Sequence, residues 1–121
     1  MDNNIVEQKS YAFAIRTVKL YKILCAGKNE YVLSKQMLRS GTSIGANVAE
    51  AQNAQSRADF LSKMNIARKE ATETKYWIRL LHDTEYLSNQ EFDSIFGDCV
   101  ELEKLLVSII KATKSIEIVT K

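Results

Sequence analysis

The stretch Gln36 to Phe60, QMLRSGTSIGANVAEAQNAQSRADF, most constrains what this chain can fold into. Ser40, Gly41, Thr42, Ser43, Gly45, Ala46, Ala49 and Ala51 fall within twelve positions of it. Glycine costs about 1 kcal/mol relative to alanine inside a helix, so composition alone favours a loop. The periodicity does not. Met37, Gly41, Ile44, Val48 and Ala51 follow a 4-3-4-3 spacing, which is one helical face. A helix that keeps two glycines gains close approach of another backbone in return. The whole chain of 121 residues has no proline and four glycines. That favours long helices over a sheet with many turns.

Four helices are predicted. The first runs from about Ile5 to Ala26, with Tyr11, Ala14, Val18, Tyr21 and Cys25 as a stripe and Phe13, Leu20 and Leu24 as a second face. Gly27 is placed to stop it. The second covers Leu33 to Gln52. The third begins near Ser56, where Ser56-Arg57-Ala58-Asp59 resembles a capping box. Phe60, Met64, Ala67, Ala71, Thr74, Ile78 and Leu81 continue it with heptad spacing. The fourth opens on Ser88-Asn89-Gln90-Glu91, a full capping box, and carries Phe92, Ile95, Cys99, Leu102, Leu106, Ile109, Thr113 and Ile116. Short connections make consecutive helices antiparallel, so the expected fold is all-α, a single up-down-up-down four-helix bundle spanning residues 1–121. Phe96, Val100, Leu105, Val107 and Ile110 lie outside the main stripe of helix four, and Leu61, Ile66, Trp77 and Leu80 outside that of helix three. Apolar surface that wide seldom faces water in a monomer, which predicts a homo-oligomer.

A formal charge of +2 implies neither a nucleic acid nor a membrane partner. Its distribution is uneven. Residues 1–81 hold thirteen Lys/Arg against seven Asp/Glu, a balance of +6, and residues 82–110 hold one Lys against seven acids, a balance of −6. Acids early and lysines late in a final helix complement its dipole. The other explanation is a basic surface on the first three helices. Cys25 and Cys99 belong to no metal spacing and fall on apolar stripes, which predicts buried reduced thiols. The start MDNNIVEQKSY has no signal-peptide pattern, and no apolar run reaches the roughly 20 residues that cross a bilayer. A cytoplasmic protein is expected.

No catalytic constellation emerges. A di-iron bundle needs Glu-x-x-His on two helices, whereas the single histidine, His82, has Arg79 three residues before it. His82 is expected to cap the end of helix three. No nucleophile–base set and no phosphate loop is visible. Neither a metal nor a cofactor is expected, and no enzyme activity. Ser43, Asn47 and Glu50 lie along one side of helix two, and a hydrogen-bonded network with Arg39, Arg57 or Lys63 between helices is expected there. Glu70 and Glu73 read as partners of nearby cations. Most aromatics fall on apolar stripes, which leaves no stacking platform for single strands.

The residues now in hand resemble a family of small bacterial four-helix-bundle proteins found in intervening sequences of 23S ribosomal RNA genes, also called S23 proteins. The accessory variability determinant of diversity-generating retroelements shares the fold. The family's pattern is matched by Arg39, Ser40, Ser43, Ile44, Asn47, Val48, Ala49 and Glu50, then Ser56, Asp59 and Phe60, then Ile66, Ala67, Glu70 and Glu73. Ala51 stands where the family usually has Gly. The resemblance covers about residues 10–112. It implies the four-helix bundle and, by analogy, a homopentameric barrel without assigned enzymatic activity. The motif residues are then structural or interaction residues. Nucleic-acid binding belongs mainly to the strongly basic retroelement branch. Two functions follow as expectations: a homo-oligomeric scaffold that recognises another protein, or an accessory that binds structured RNA or RNA/DNA. The candidate phosphate contacts for the second are Lys19, Lys22, Arg57, Lys63, Arg68, Lys75 and Arg79.

Overall fold

α1 spans Asp2–Lys28, α2 Leu33–Ala51, α3 Arg57–Asp83 and α4 Asn89–Thr120. These elements come from a computed structural model that describes residues 2–120, with side chains described for residues 5–116. The described residues hold no strand. α1 packs on α2 and α4, and α3 packs on α2 and α4, while the backbones of the diagonal pairs do not come close. The helices thus form a closed ring around one core to which all four contribute. Gly41 and Gly45 of α2 face Thr17 and Ser10 of α1, so residue numbers fall along α1 as they rise along α2. The other seams run the same way. Ser40 and Glu50 meet Thr74 and Lys63, Ala71 and His82 meet Cys99 and Asn89, and Arg16 and Lys9 meet Asp98 and Glu101.

The stripe expected on α2 is buried, and so are those on α3 and α4 except for Phe60, Phe92 and Thr113, which are half-buried, and Ile116, which is exposed. Met37, Gly41, Ile44, Val48 and Ala51 are buried on α2, and Met64, Ala67, Ala71, Thr74, Ile78 and Leu81 on α3. On α4, Ile95, Cys99, Leu102, Leu106 and Ile109 are buried. Each large aliphatic side chain so buried contributes about 1.5–3 kcal/mol. The main stripe expected on α1 is wrong, whereas its expected second face is borne out, with Phe13 and Leu24 buried and Leu20 packed half-buried against the core. The buried positions of α1 are Val6, Ser10, Phe13, Thr17 and Leu24, whereas Tyr11 is 70% exposed and Ala14, Val18, Tyr21 and Cys25 are half-buried. The seam helix keeps its 4-3-4 spacing but fills two places with small polar residues, because glycines stand opposite. A β-carbon on Gly41 would lie 2.6 Å from the Thr17 methyl, and one on Gly45 would lie 3.2 Å from the Ser10 carbonyl oxygen. Both hydroxyls turn back to their own helix, Ser10 Oγ on Glu7 O and Thr17 Oγ1 on Ala14 O.

The helix ends also differ from expectation in places. Gly27 does not end α1. Asn29, at φ 53°, takes the left-handed turn, and Glu30 N–H donates back to Leu24 O, six positions earlier, at 3.0 Å. The Glu30 carboxylate then caps α2 from outside, accepting the N–H groups of Val32, Leu33 and Ser34. Burial raises the Glu30 carboxyl, but those bonds outweigh it and hold the group below its ordinary value. Ser56 Oγ accepts Asp59 N–H as expected, but Asp59 returns the bond to Gln55 N–H rather than to Ser56. The box at α4 is reciprocal, Ser88 N–H to Glu91 and Glu91 N–H to Ser88 Oγ. His82 caps no carbonyl. Its ring lies on Phe92 and bonds Asn89 Oδ1 at 2.7 Å and Asp83 Oδ1 at 2.9 Å, tying the end of α3 to the start of α4.

Candidate functional site

Ser40 and Thr74 meet at the middle of the α2/α3 seam, both buried. Thr74 Oγ1 lies 2.8 Å from Ser40 Oγ and 2.7 Å from Glu70 O, and Ser40 Oγ reaches Met37 O. Above this pair opens a polar cleft of about 110 Å3, lined by Gln36, Arg39, Ser40, Ser43, Glu70 and Glu73. Helical spacing gathers each half: Gln36, Arg39, Ser40 and Ser43 are three or four apart on α2, and Glu70 and Glu73 are three apart on α3. Trp77 Nε1–H donates to Glu73 Oε2 at 3.0 Å and holds that carboxylate in place. Burial, then the neighbouring Glu73, push the Glu70 carboxyl above its ordinary value, and Arg39 pulls the other way. No ion pair joins Arg39 to Glu70.

The cationic candidates do not gather. Lys19 and Lys22 sit on α1 and the other five on α3, which stands diagonally across the ring. Lys63 pairs with Glu50 at 2.9 Å and Lys75 with Glu103 at 2.6 Å. Arg57 is the first residue of α3, Arg79 is exposed, and Arg68 helps hold the Glu103 carboxyl down. Burial would raise Glu103, but the bonds from Lys75 and Thr72 prevail. Three of the seven acids of residues 82–110 pair with cations on other helices, and Glu91 stands in the first turn of α4. Asp98, Glu101 and Glu103 lie in the middle of α4, against Arg16, Lys9 and Lys75. Lys19 and Lys22 border a shallow groove of about 320 Å3 with Tyr11, Ala14, Ile15 and Val18. Tyr11, expected inside, is exposed, as are Tyr31 and Tyr76, and the three lie apart in the chain, on α1, before α2 and on α3.

The model of the 23S rRNA-intervening sequence protein family matches residues 2–108. The chain belongs to that family. A crystal structure of a protein with unknown function, from the S23 ribosomal protein family and from Bacteroides thetaiotaomicron VPI-5482, superposes with a TM-score of 0.91. It is 58% identical over 92% of this chain and 99% of that one. No curated protein matches the sequence.

The family-pattern residues divide into two groups. Arg39, Ser40, Ser43, Glu70 and Glu73 share the cleft. Among the others, Asn47, Glu50, Asp59 and Phe60 lie outside it. Asn47 donates to Ser43 O within α2 and joins no interhelix network, which corrects the expected one. Glu50 does cross the seam, to Lys63. Asp59 closes the start of α3, and Phe60 packs half-buried against the core. The expected pairing of Glu70 and Glu73 with cations is also corrected: Glu73 bonds the indole of Trp77, and Glu70 has no ion pair. Reasoning from sequence missed Gln36 and Trp77, although each is one helical turn from a motif residue. Among the described residues no group of three His, Cys, Asp or Glu could hold a metal. Cys99 is buried with its thiol pushed up to about 12 by desolvation, whereas Cys25 is half-buried. No described helix is long and apolar enough to cross a membrane.

Proposed function

We propose that this family member is a non-enzymatic interaction module: an antiparallel, up-down-up-down bundle that assembles with copies of itself into a cytoplasmic pentameric barrel and offers its outer faces to a protein partner. The observation that carries the self-association is the outer face of α1. Tyr11 and Ile15 are exposed one turn apart, with Val18 one turn further on, beside the groove bordered by Lys19 and Lys22. Apolar side chains at that spacing form a continuous strip, which water does not favour. Of the residues expected to form an apolar surplus, Phe96, Val100, Leu105 and Val107 on α4 and Leu61, Trp77 and Leu80 on α3 are half-buried and Ile110 is buried, while Ile66 on α3 is exposed. What supports a protein scaffold over an RNA-binding accessory is the interleaving of charge. Lys63 and Lys75 already have carboxylate partners, and cations neutralised within the fold release no counterions from a nucleic acid.

Light scattering at micromolar concentration tests the assembly. The expected mass is near five times the 13.7 kDa of one chain, and Ile15→Glu is expected to lower it. A wild-type mass of one chain overturns the proposal. Fluorescence anisotropy with a labelled ribosomal RNA hairpin, at about 50 and 200 mM salt, separates the two functions. Tight binding that falls steeply with salt would replace the scaffold with the RNA accessory.

A further inference from the structure

We propose that the α2/α3 cleft binds a small zwitterion of the α-amino acid class, with its ammonium group on the carboxylates of Glu70 and Glu73 and its carboxylate on Arg39. The argument rests on what the cleft leaves apart. Arg39 and Glu70 carry opposite charges, line the same opening and are not joined by an ion pair. Elsewhere on this molecule opposite charges on neighbouring helices close on each other, as Lys63 does on Glu50 and Lys75 on Glu103. Here the positive end lies on α2 and the negative end on α3, with space between them. A volume of about 110 Å3 equals a few waters at about 30 Å3 each, enough for the head of an amino acid.

Other occupants fit the lining less well. A metal ion would find only two carboxylates, with a guanidinium beside them, and no group of three ligands exists among the described residues. An anion would meet a lining whose formal charge is negative. A simple cation would leave Arg39 unused. A zwitterion matches both ends, and charge-assisted hydrogen bonds at each are the stronger kind. The half-buried Glu70 gains the partner it lacks, which relieves the burial and Glu73 repulsion that raise its carboxyl. Ser43 Oγ donates to Arg39 O at 2.6 Å and keeps acceptor capacity for an ammonium N–H. The cleft is distinct from the outer face of α1, so this proposal stands or falls apart from the assembly.

The molecule supplies its own reporter. Trp77 is the only tryptophan, and its indole N–H bonds the Glu73 carboxylate. The full chain in its native assembly is titrated with glycine, methylammonium and acetate, followed by calorimetry and by Trp77 fluorescence. Glycine is expected to saturate with a Kd in the millimolar range, with methylammonium and acetate each at least about tenfold weaker because each engages one end only. Arg39→Gln and Glu70→Gln are each expected to weaken glycine binding at least about tenfold, with the helical circular dichroism spectrum unchanged. Arg39→Lys keeps the charge and is expected to retain part of the affinity. The proposal is overturned if glycine fails to saturate, if methylammonium binds as well as glycine, or if a folded Arg39→Gln binds glycine normally.

Discussion

The two sides of α1 are built on opposite principles. Toward α2, Thr17 and Ser10 lie against glycines, with no space for one more carbon at Gly41. Toward α4, the helix is bridged by Arg16–Asp98 and Lys9–Glu101, exposed pairs that line a groove of about 220 Å3, and Arg16 also borders one of about 390 Å3. One side is held by shape and the other by charge. Shape tolerates salt but no added volume. Charge tolerates volume but is screened. The difference shows that one amphipathic helix need not be anchored equally all round, and that its α4 side is the one free to adjust.

That contrast can be broken most sharply at Gly41. Gly41→Ala is expected to lower stability by about 1–2 kcal/mol in urea unfolding, because overpacking exceeds the gain in helix propensity. Thr17→Ser removes the offending methyl and is expected to rescue the variant in a double-mutant cycle. A stabilised Gly41→Ala would show that the seam is not tight. Next comes the turn that sets the seam. Glu30→Gln removes the charge that three backbone N–H groups share and is expected to cost about 1 kcal/mol at pH 7. Because the folded Glu30 carboxyl lies below its ordinary value, its contribution is present above the unfolded carboxylate range and lost as pH falls through the folded value. Thermal melts of the two proteins should therefore converge in acid. On the charged side, Arg16→Ala should lose only about 0.5 kcal/mol, and that difference should vanish in strong salt. The smallest effect is expected at His82. Its bonds to Asn89 and then Asp83 raise the imidazole above its ordinary value, so its contribution is full in mild acid and fades as pH rises through the folded value. Thermal melts across that window should separate wild type from His82→Gln at the acidic end and not at the basic end.

Three helices were legible because their buried faces are apolar at regular spacing. α1 was misread because Ser10 and Thr17 occupy buried places, and the neighbouring Tyr11–Ala14–Val18 line is the more apolar of the two. Only the glycines on another helix explain the choice, and a single helix cannot reveal them. The end of α1 was misplaced by two residues because Asn29, not Gly27, takes positive φ, and asparagine tolerates that region well enough to compete. At the cleft, the grouping of Arg39 with Ser40 and Ser43, and of Glu70 with Glu73, follows from helical spacing. Their meeting depends on the stagger of α2 against α3, which the Ser40–Thr74 contact sets. The pairing of the α4 acids with α1 and α3 was invisible for the same reason: helix rotation is a tertiary property.

The ring of helices also implies an order in time. Three of its seams join consecutive helices, so each closes over a short connection. The fourth joins residues as distant as Lys9 and Glu101, 92 positions apart, and closing a longer loop costs more entropy. Neighbouring hairpins therefore assemble early, and the α1–α4 edge is sealed last. In stopped-flow kinetics, Arg16→Ala should quicken unfolding and leave refolding nearly unchanged, making that edge the seal through which the bundle first comes apart.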